Sequence, residues 1–306
     1  MLLNERLRER IKAKKALLDS LRPLPRDAVE RLRHQMNIEL TYNSNAIEGN
    51  TLTLQETRLI LEEGITVGGK PLNEYLEAQN HEKALEWTES IAKGTKKITE
   101  ETILETHEIL MKGTSEYAGR YRDKRIRITG ASFTPPAPQK LLRLMRELVK
   151  WMQATKQDPI EKAALAHHKL VWIHPFFDGN GRTARLLMNL MLFREGYPPT
   201  VLRLVDRKKY YRALKEADKG NPAPLVNFIA RAVEQSLNIY LEALQKPGKK
   251  TGLVPLSEAA KHSPYSQEYL SLLSRRGLLG ATKIGRKWHV SLKELDEYTS
   301  KHGKKK

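Results

Sequence analysis

Apolar residues return every three or four positions along most of this chain, with charged residues on the faces between, so the pattern predicts helix after helix. Residues 2–21 form a charged amphipathic stretch that ends at Pro23 and Pro25. Asp27 is placed to cap a second helix carrying Val29, Leu32, Met36, Ile38 and Leu40 at helical spacing. Thr99-Glu100-Glu101-Thr102 opens another, with Ile103, Ile109 and Leu110 among its apolar positions. Pro159, tolerated in a first turn, precedes a helix over 160–172. Residues 181–193 continue as helix and stop at Gly196, with Pro198-Pro199 beyond, and 225–244 is the last long helix of this block.

Two stretches break the helical period. Residues 124–129 alternate Lys or Arg with Ile, then meet Gly130, Phe133 and the run Pro135-Pro136-Ala137-Pro138, which predicts a short strand or hairpin beside a rigid turn. Residues 247–252, Pro-Gly-Lys-Lys-Thr-Gly, have linker composition. Beyond them the elements shorten: a helix from Leu256 to Ala260, a second capped by Ser266 and stopping at Gly277, short strands at 281–284 and 287–290 around Gly285-Arg286, and a helix at 292–298 ahead of a lysine tail. The expected organisation is a helical N-terminal region (1–37), a main domain (38–245), a linker (246–253) and a small C-terminal domain (254–306).

Composition narrows the classes. With 306 residues, 40% of them hydrophobic, the chain can bury a full core and a second small one. No window holds the roughly 18 consecutive apolar residues of a membrane span. Cysteine is absent and the first residues, Met-Leu-Leu-Asn-Glu-Arg, lack a secretory pattern, so the expected location is the cytoplasm, without disulfides or thiolate metal sites. The net charge of +18 is uneven: residues 246–306 carry 14 Lys/Arg against 5 Asp/Glu, half of the excess in a fifth of the chain. That end calls for an anionic partner of its own.

Chemistry concentrates in His174-Pro175-Phe176-Phe177-Asp178-Gly179-Asn180-Gly181-Arg182. Gly179 and Gly181 remove side chains where backbone must come close to a ligand, and a helix starting near Asn180 presents free N–H groups, which together suit phosphate. Arg182 and Arg185, three apart, reach toward the same anion. Asp178 can hold Mg²⁺ through one carboxylate while phosphates supply other ligands. His174 can take a proton from an attacking hydroxyl near neutral pH. Base, metal carboxylate, phosphate nest and two arginines within twelve residues fit in-line attack on a nucleotide phosphate. By contrast, His167 and His168 lie in a helix with packing composition, and a three-histidine metal site with His174 is not expected.

At every position this run resembles the signature of the Fic family, His-Pro-Phe-x-Asp/Glu-Gly-Asn-Gly/Lys-Arg, and Arg185 matches the second arginine that often follows. The resemblance covers roughly residues 38–244. It implies an all-α fold, a Fic helical core with a small β-hairpin flap that positions the target segment, and 124–138 is similar to that flap. It implies His174 as general base, Asp178 as the Mg²⁺ ligand, Asn180 with Gly179 and Gly181 holding phosphates, and Arg182 and Arg185 neutralising them. The implied reaction moves AMP from ATP onto a Tyr, Thr or Ser hydroxyl of a target protein. Transfer of phosphate or phosphocholine is disfavoured by the Gly181-Arg182 pair, and removal of AMP from a modified protein, with Glu48 orienting water, is a second use of the same site.

Ser44-Asn45-Ala46-Ile47-Glu48-Gly49-Asn50 fits the family's inhibitory pattern, Ser/Thr-x-x-x-Glu-Gly/Asn, and implies an inhibitory helix near 41–50 whose Glu48 pairs with Arg185. A carboxylate in a phosphate nest competes for the donors that phosphate needs. Tyr210 and Tyr211, ahead of Asp218-Lys219-Gly220-Asn221, resemble the adenine-side segment, although the family often has Asn where Asp218 stands. Residues 254–306 are similar to small winged helix-turn-helix modules, with Ser266 to Arg276 as recognition helix and Lys283, Arg286 and Lys287 on a basic wing. The competing reading is therefore a DNA-binding transcriptional regulator that uses the Fic core as a nucleotide sensor. Expected partners are ATP, a protein with a hydroxyl side chain and DNA through 254–306, with no membrane. The sequence leaves the oligomeric state, a homodimer included, open.

Overall fold

A computed structural model describes residues 2–66, 68–128, 133–244, 253–284 and 287–302 of the protein, with 301 and 302 described by backbone alone. In chain order the helices are α1 (Glu5–Ser20), α2 (Arg26–Glu48), α3 (Leu54–Glu63), α4 (Leu72–Lys93), α5 (Glu100–Met111), α6 (Leu141–Ala154), α7 (Pro159–Ile173), α8 (Asn180–Arg194), α9 (Arg207–Asp218) and α10 (Ala223–Leu244). Then follow β1 (Leu253–Pro255), α11 (Leu256–Ala259), α12 (Gln267–Arg275), β2 (Ala281–Ile284), β3 (Lys287–Ser291) and α13 (Leu292–His302). The all-α class expected from the helical period is the class observed.

Two compact units form: Met1–Arg8 with Arg33–Val233, and Glu9–Leu32 with Glu234–Lys306. These limits differ from the expected boundaries at 37/38 and 245/246, because α1, α2 and α10 run through the divisions without interruption. Composition marks the covalent linker, whereas packing decides the unit. Within the second unit, Arg10 and Lys14 of α1 converge on Glu234 of α10 at 2.9 and 2.6 Å, a link no local pattern announces. The expected linker falls outside the described residues except for Leu253, which begins β1.

In the first unit α8 is the central helix, packed against α4, α5 and α7. Leu186, Leu187, Met188, Leu190, Met191 and Leu192 are all buried, so the helix is apolar around most of its circumference, as a core helix must be. Helix α7 is pinned at its start by Asp158, whose carboxylate accepts from the Ile160 N–H at 2.9 Å, with Pro159 in the first turn. Helix α5 starts at a capping box formed by Thr99 and Thr102. Three described helices, α3, α4 and α9, lie where the periodicity drew no element, and so does α6, whose apolar face buries Leu141, Met145, Leu148 and Met152.

The strand expected at 124–129 is not formed by residues 124–128, which bend at Lys124 and pair in no ladder; 129–132 lie outside the described residues. The prolines at 135, 136 and 138 have no N–H to give a ladder. A side chain takes its place: Arg122 donates to the carbonyls of Lys124 (2.9 Å) and Pro136 (2.6 Å), one on each leg.

In the second unit β1, β3 and β2 form an antiparallel sheet in that order, with Val254 and Ala281 both facing Val290. Leu256, Ala259, Leu270, Leu273, Leu279, Val290 and Leu295 make its core. Ser266 caps α12 by accepting from Tyr269 N–H. Strand β1 was hidden in the linker composition, whereas α11, α12, β2, β3 and α13 lie where the pattern set them.

Candidate active site

The turn between α7 and α8 carries His174, Asp178 and Asn180 of the expected site. His174 ends α7 in the left-handed region (φ 51°, ψ 59°) and is the one non-glycine with positive φ among the described residues. That conformation costs about 1–3 kcal/mol in a non-glycine residue and persists where neighbours hold it. Its Nδ1 lies 3.1 Å from the carbonyl of Val171. A carbonyl only accepts, so Nδ1 carries the proton and Nε2 is left as the basic nitrogen. Burial lowers the His174 pKa, opposed by the Val171 carbonyl, lowered further by Arg122 and opposed by the carboxylates of Glu48 and Asp178; the balance lies below the ordinary imidazole value. The ring is therefore a neutral base at physiological pH.

Gly179 caps α8 at φ 73°, and no side chain caps the helix, so the first amides of α8 remain available to an anion. A Cβ at Gly179 would also run into Sδ of Met111 at 2.7 Å. Asn180 is buried, and its amide is fully engaged with one residue: Oδ1 accepts from Phe176 N–H and Nδ2 donates to Phe176 O, both at 2.9 Å. The side chain closes the turn, and what Asn180 can offer a phosphate is its backbone N–H. Asp178 accepts from Gly179 N–H at 2.6 Å, and its side chain is 70% exposed. No group of three or more His, Asp or Glu that could cage a metal occurs among the described residues. One open carboxylate beside a phosphate nest fits Mg²⁺ shared with substrate phosphates, the arrangement this ion favours.

Both arginines are buried and both are occupied. Arg182 pairs with Glu77 of α4 (3.0 Å) and Asp178 (3.3 Å), and its Nε has no acceptor among the described residues. Arg185 pairs with Glu48 at 2.8 Å and donates to Oγ of Ser44 (3.0 Å) and to the Ser44 carbonyl (2.8 Å). Burial works against the charge on Arg185, and Glu48 with Tyr210 outweighs it, so its pKa is raised. Ser44 and Glu48 sit four apart on the last turns of α2, on one face. Gly49 (φ 111°) then ends the helix and turns the chain away. Gly181 makes room for the pair: a Cβ there would collide with Oε1 of Glu48.

The two tyrosines separate. Tyr210 is 1% exposed, its hydroxyl 2.9 Å from Nε2 of His167, so it supports Arg185 from the core. Tyr211 is 39% exposed, with the Arg207 guanidinium 4.8 Å from its ring centroid, while Arg207 Nε donates to the Ile47 carbonyl at 2.7 Å. Asp218 is engaged by His168 at 2.9 Å. His167 and His168 thus have partners other than a metal.

Sequence reasoning missed Glu77, Arg122, Arg207 and His107. His107 stacks on Phe176 (3.6 Å, 4°), accepts from Gly119 N–H at Nδ1 and faces the Asp178 carbonyl at Nε2. The first contact fixes the tautomer: Nδ1 accepts, so Nε2–H donates. Burial pushes the His107 pKa down to about 4, keeping the ring neutral.

The chain matches the Fic/DOC family over residues 97–192. Protein adenylyltransferase Fic of Nematostella vectensis is 42% identical over 205 residues, 65% of this chain and 48% of that protein. The Drosophila willistoni protein of the same name is 38% identical over 245 residues, 79% of this chain and 49% of its own length. The chain thus spans about half the length of the curated relatives it matches. A Fic domain containing signaling protein from Bacteroides thetaiotaomicron superposes with a TM-score of 0.74 at 31% identity, covering 79% of this chain and 100% of that one. Fic-1 from C. elegans superposes at 0.69 with 36% identity, over 77% and 71% of the two chains. With the signature turn, the uncapped α8 and these matches in sequence and structure, the chain belongs to the Fic family.

Proposed function

We propose that this protein transfers AMP from ATP to a Tyr, Thr or Ser hydroxyl of a target protein, and that Glu48 restrains the transfer. The observation that carries the reading is the neutral His174 with its proton on Nδ1, set at the mouth of an uncapped helix N-terminus backed by two buried arginines. The target hydroxyl gives its proton to Nε2 of His174 as its oxygen bonds to the α-phosphorus. The bond from that phosphorus to the bridging oxygen breaks, and pyrophosphate leaves. The α8 amides with Arg182 and Arg185 balance the charge that develops. Mg²⁺, held by Asp178 with the phosphates, would neutralise phosphate oxygens. Residues 124–138 would receive the target segment, and Tyr211 would face the adenine. The names of the relatives favour this reading over a nucleotide sensor. So does the complete set of His174, Asp178, Arg182 and Arg185, since a decayed site should have lost its base or its metal ligand.

In the resting state Glu48 occupies Arg185, and a γ-phosphate cannot seat productively there. The same carboxylate would orient water for removing AMP from a modified protein. The test is intact-mass measurement of the full chain after incubation with Mg²⁺ and ATP. A gain of one AMP group on the protein is expected in the Glu48→Gly variant, and a gain of one phosphate would overturn the assignment.

We infer further that residues 254–306 bind duplex DNA. In support, α12 follows α11 as the second helix of a helix-turn-helix, and Lys283 and Lys287 are exposed on β2 and β3. Arg286 of the expected wing lies outside the described residues.

A further inference from the structure

The transfer reaction proposed above requires the base and the segment that receives the target to keep a fixed distance. One side chain touches both. Arg122 is 2% exposed and makes no ion pair among the described residues, although a buried arginine ordinarily finds a carboxylate. Its three side-chain hydrogen bonds among the described residues all go to backbone carbonyls: Nε to His174 at 2.8 Å, Nη1 to Lys124 at 2.9 Å and Nη2 to Pro136 at 2.6 Å. Its own backbone N–H adds a fourth, to Pro175 at 2.9 Å.

We propose that Arg122 is a positioning residue of the transfer: it holds His174 in its left-handed backbone and ties the carbonyls of Lys124 and Pro136, in the segment expected to receive the target, to the same group. The left-handed conformation turns the His174 carbonyl out of the α7 hydrogen-bond ladder, and Arg122 receives it there. The adjacent carbonyl is received by the Arg122 backbone, so two successive peptide units after α7 are clamped. That sets where the imidazole stands, with Nδ1 against Val171. Nη1 and Nη2 gather the carbonyls of residues 124 and 136. Only a planar fork reaches three carbonyls in different directions; a lysine ammonium at that depth would satisfy one or two.

This inference rests on the transfer reading, and its test separates the two. In the full chain carrying Glu48→Gly, Arg122→Lys and Arg122→Gln are compared with the parent for Mg²⁺-ATP affinity, for transfer rate from α-labelled ATP and for the pH dependence of that rate. Misplacing a base by an ångström lowers rate on the order of 10²-fold, and that fall is expected in both variants with ATP affinity unchanged. The groups facing His174 are Arg122, Asp178, Glu48 and the Val171 carbonyl, and Glu48 is absent from the parent and both variants alike. Loss of the Arg122 charge should therefore move the acid limb of the pH profile upward in Arg122→Gln and leave it in place in Arg122→Lys. A merely structural residue would lower ATP affinity and rate together, without that split. Should Arg122→Gln fail to fold, Arg122→Lys decides by its rate and affinity. Parental transfer rates in the variants, or parallel loss of affinity and rate, overturn the inference alone. A parent that transfers no label removes the transfer reading and this inference with it.

Discussion

Gly181 shows how much a single missing side chain can decide. It lies in the first turn of α8 with ordinary helical geometry, so alanine suits its backbone, yet its Cβ would strike Glu48. Gly181→Ala keeps the N–H proposed to meet a phosphate and displaces the carboxylate proposed to block it. Basal transfer should rise by roughly 5- to 150-fold, the usual range for uncoupling two sites, and the change should add nothing to Glu48→Gly. A Gly181→Ala protein as quiet as the wild type, with ATP affinity intact, would show that Glu48 is not the restraint. His174 makes a second prediction. Because its pKa is held down, the free base persists to lower pH, and the acid limb of kcat/KM should fall below about 6.5. Glu48 raises the His174 pKa, so Glu48→Gly should move that limb lower still; an upward shift contradicts the assignment. Every residue named in 174–185 was legible because the chemistry is contiguous in sequence. Arg122, Glu77 and His107 were not. Arg122 and His107 act on backbone carbonyls 52 and 71 positions away, and a carbonyl is the same in every residue.

At the scale of elements, α2 is the part the proposed restraint depends on. Its final turns carry Ser44 and Glu48 onto Arg185, and Gly49 stops it there. Breaking the pair leaves Arg185 buried with Ser44 and Tyr210, and Glu48 is one-third exposed, so a loss of about 1–3 kcal/mol is expected in Glu48→Gly. Mg²⁺-ATP should restore more melting temperature to that variant than to wild type, since phosphates refill the vacated donors. Arg185→Ala, which frees Glu48 but loses a phosphate clamp, should gain no transfer; a gain equal to that of Glu48→Gly would remove Arg185 from the site. The sequence placed α2, α5, α7, α8 and α10 through their caps, prolines and apolar spacing. It placed 41–50 as a helix of its own because the signature is local, whereas the structure makes it the end of one helix of 23 residues. Helices α4 and α9 escaped because their buried faces include polar residues, among them Asn80, His81 and Thr88, or are short, and binary periodicity weakens accordingly.

For the whole molecule the question is what two units do in one chain. Among the described residues no helix is long and apolar enough to cross a membrane. If 254–306 binds DNA, the full chain should bind duplex with an affinity that falls steeply with salt, as lysines displace counterions. Lys287→Ala should weaken all sequences alike. Ser271 and Arg275, which touch each other at 3.2 Å on α12, should instead set preference among sequences, and binding without preference would return the module to a basic appendage. The charge that suggested this was visible in composition, but the grouping of residues 9–32 with the C-terminal end was not, because Arg10 and Lys14 meet Glu234 more than two hundred positions away. The central claim is AMP transfer by a site that Glu48 restrains, and labelling tests it most directly. Full-length wild type, Glu48→Gly and the double variant with His174→Ala are incubated with Mg²⁺ and ATP labelled at the α or the γ phosphorus, with cell lysate as the source of target. The account predicts protein label from α but not γ, strong in Glu48→Gly, weak in wild type and reduced on the order of 10²-fold or more when His174 is removed. Label arriving from the γ phosphorus, or label undiminished without His174, would contradict it.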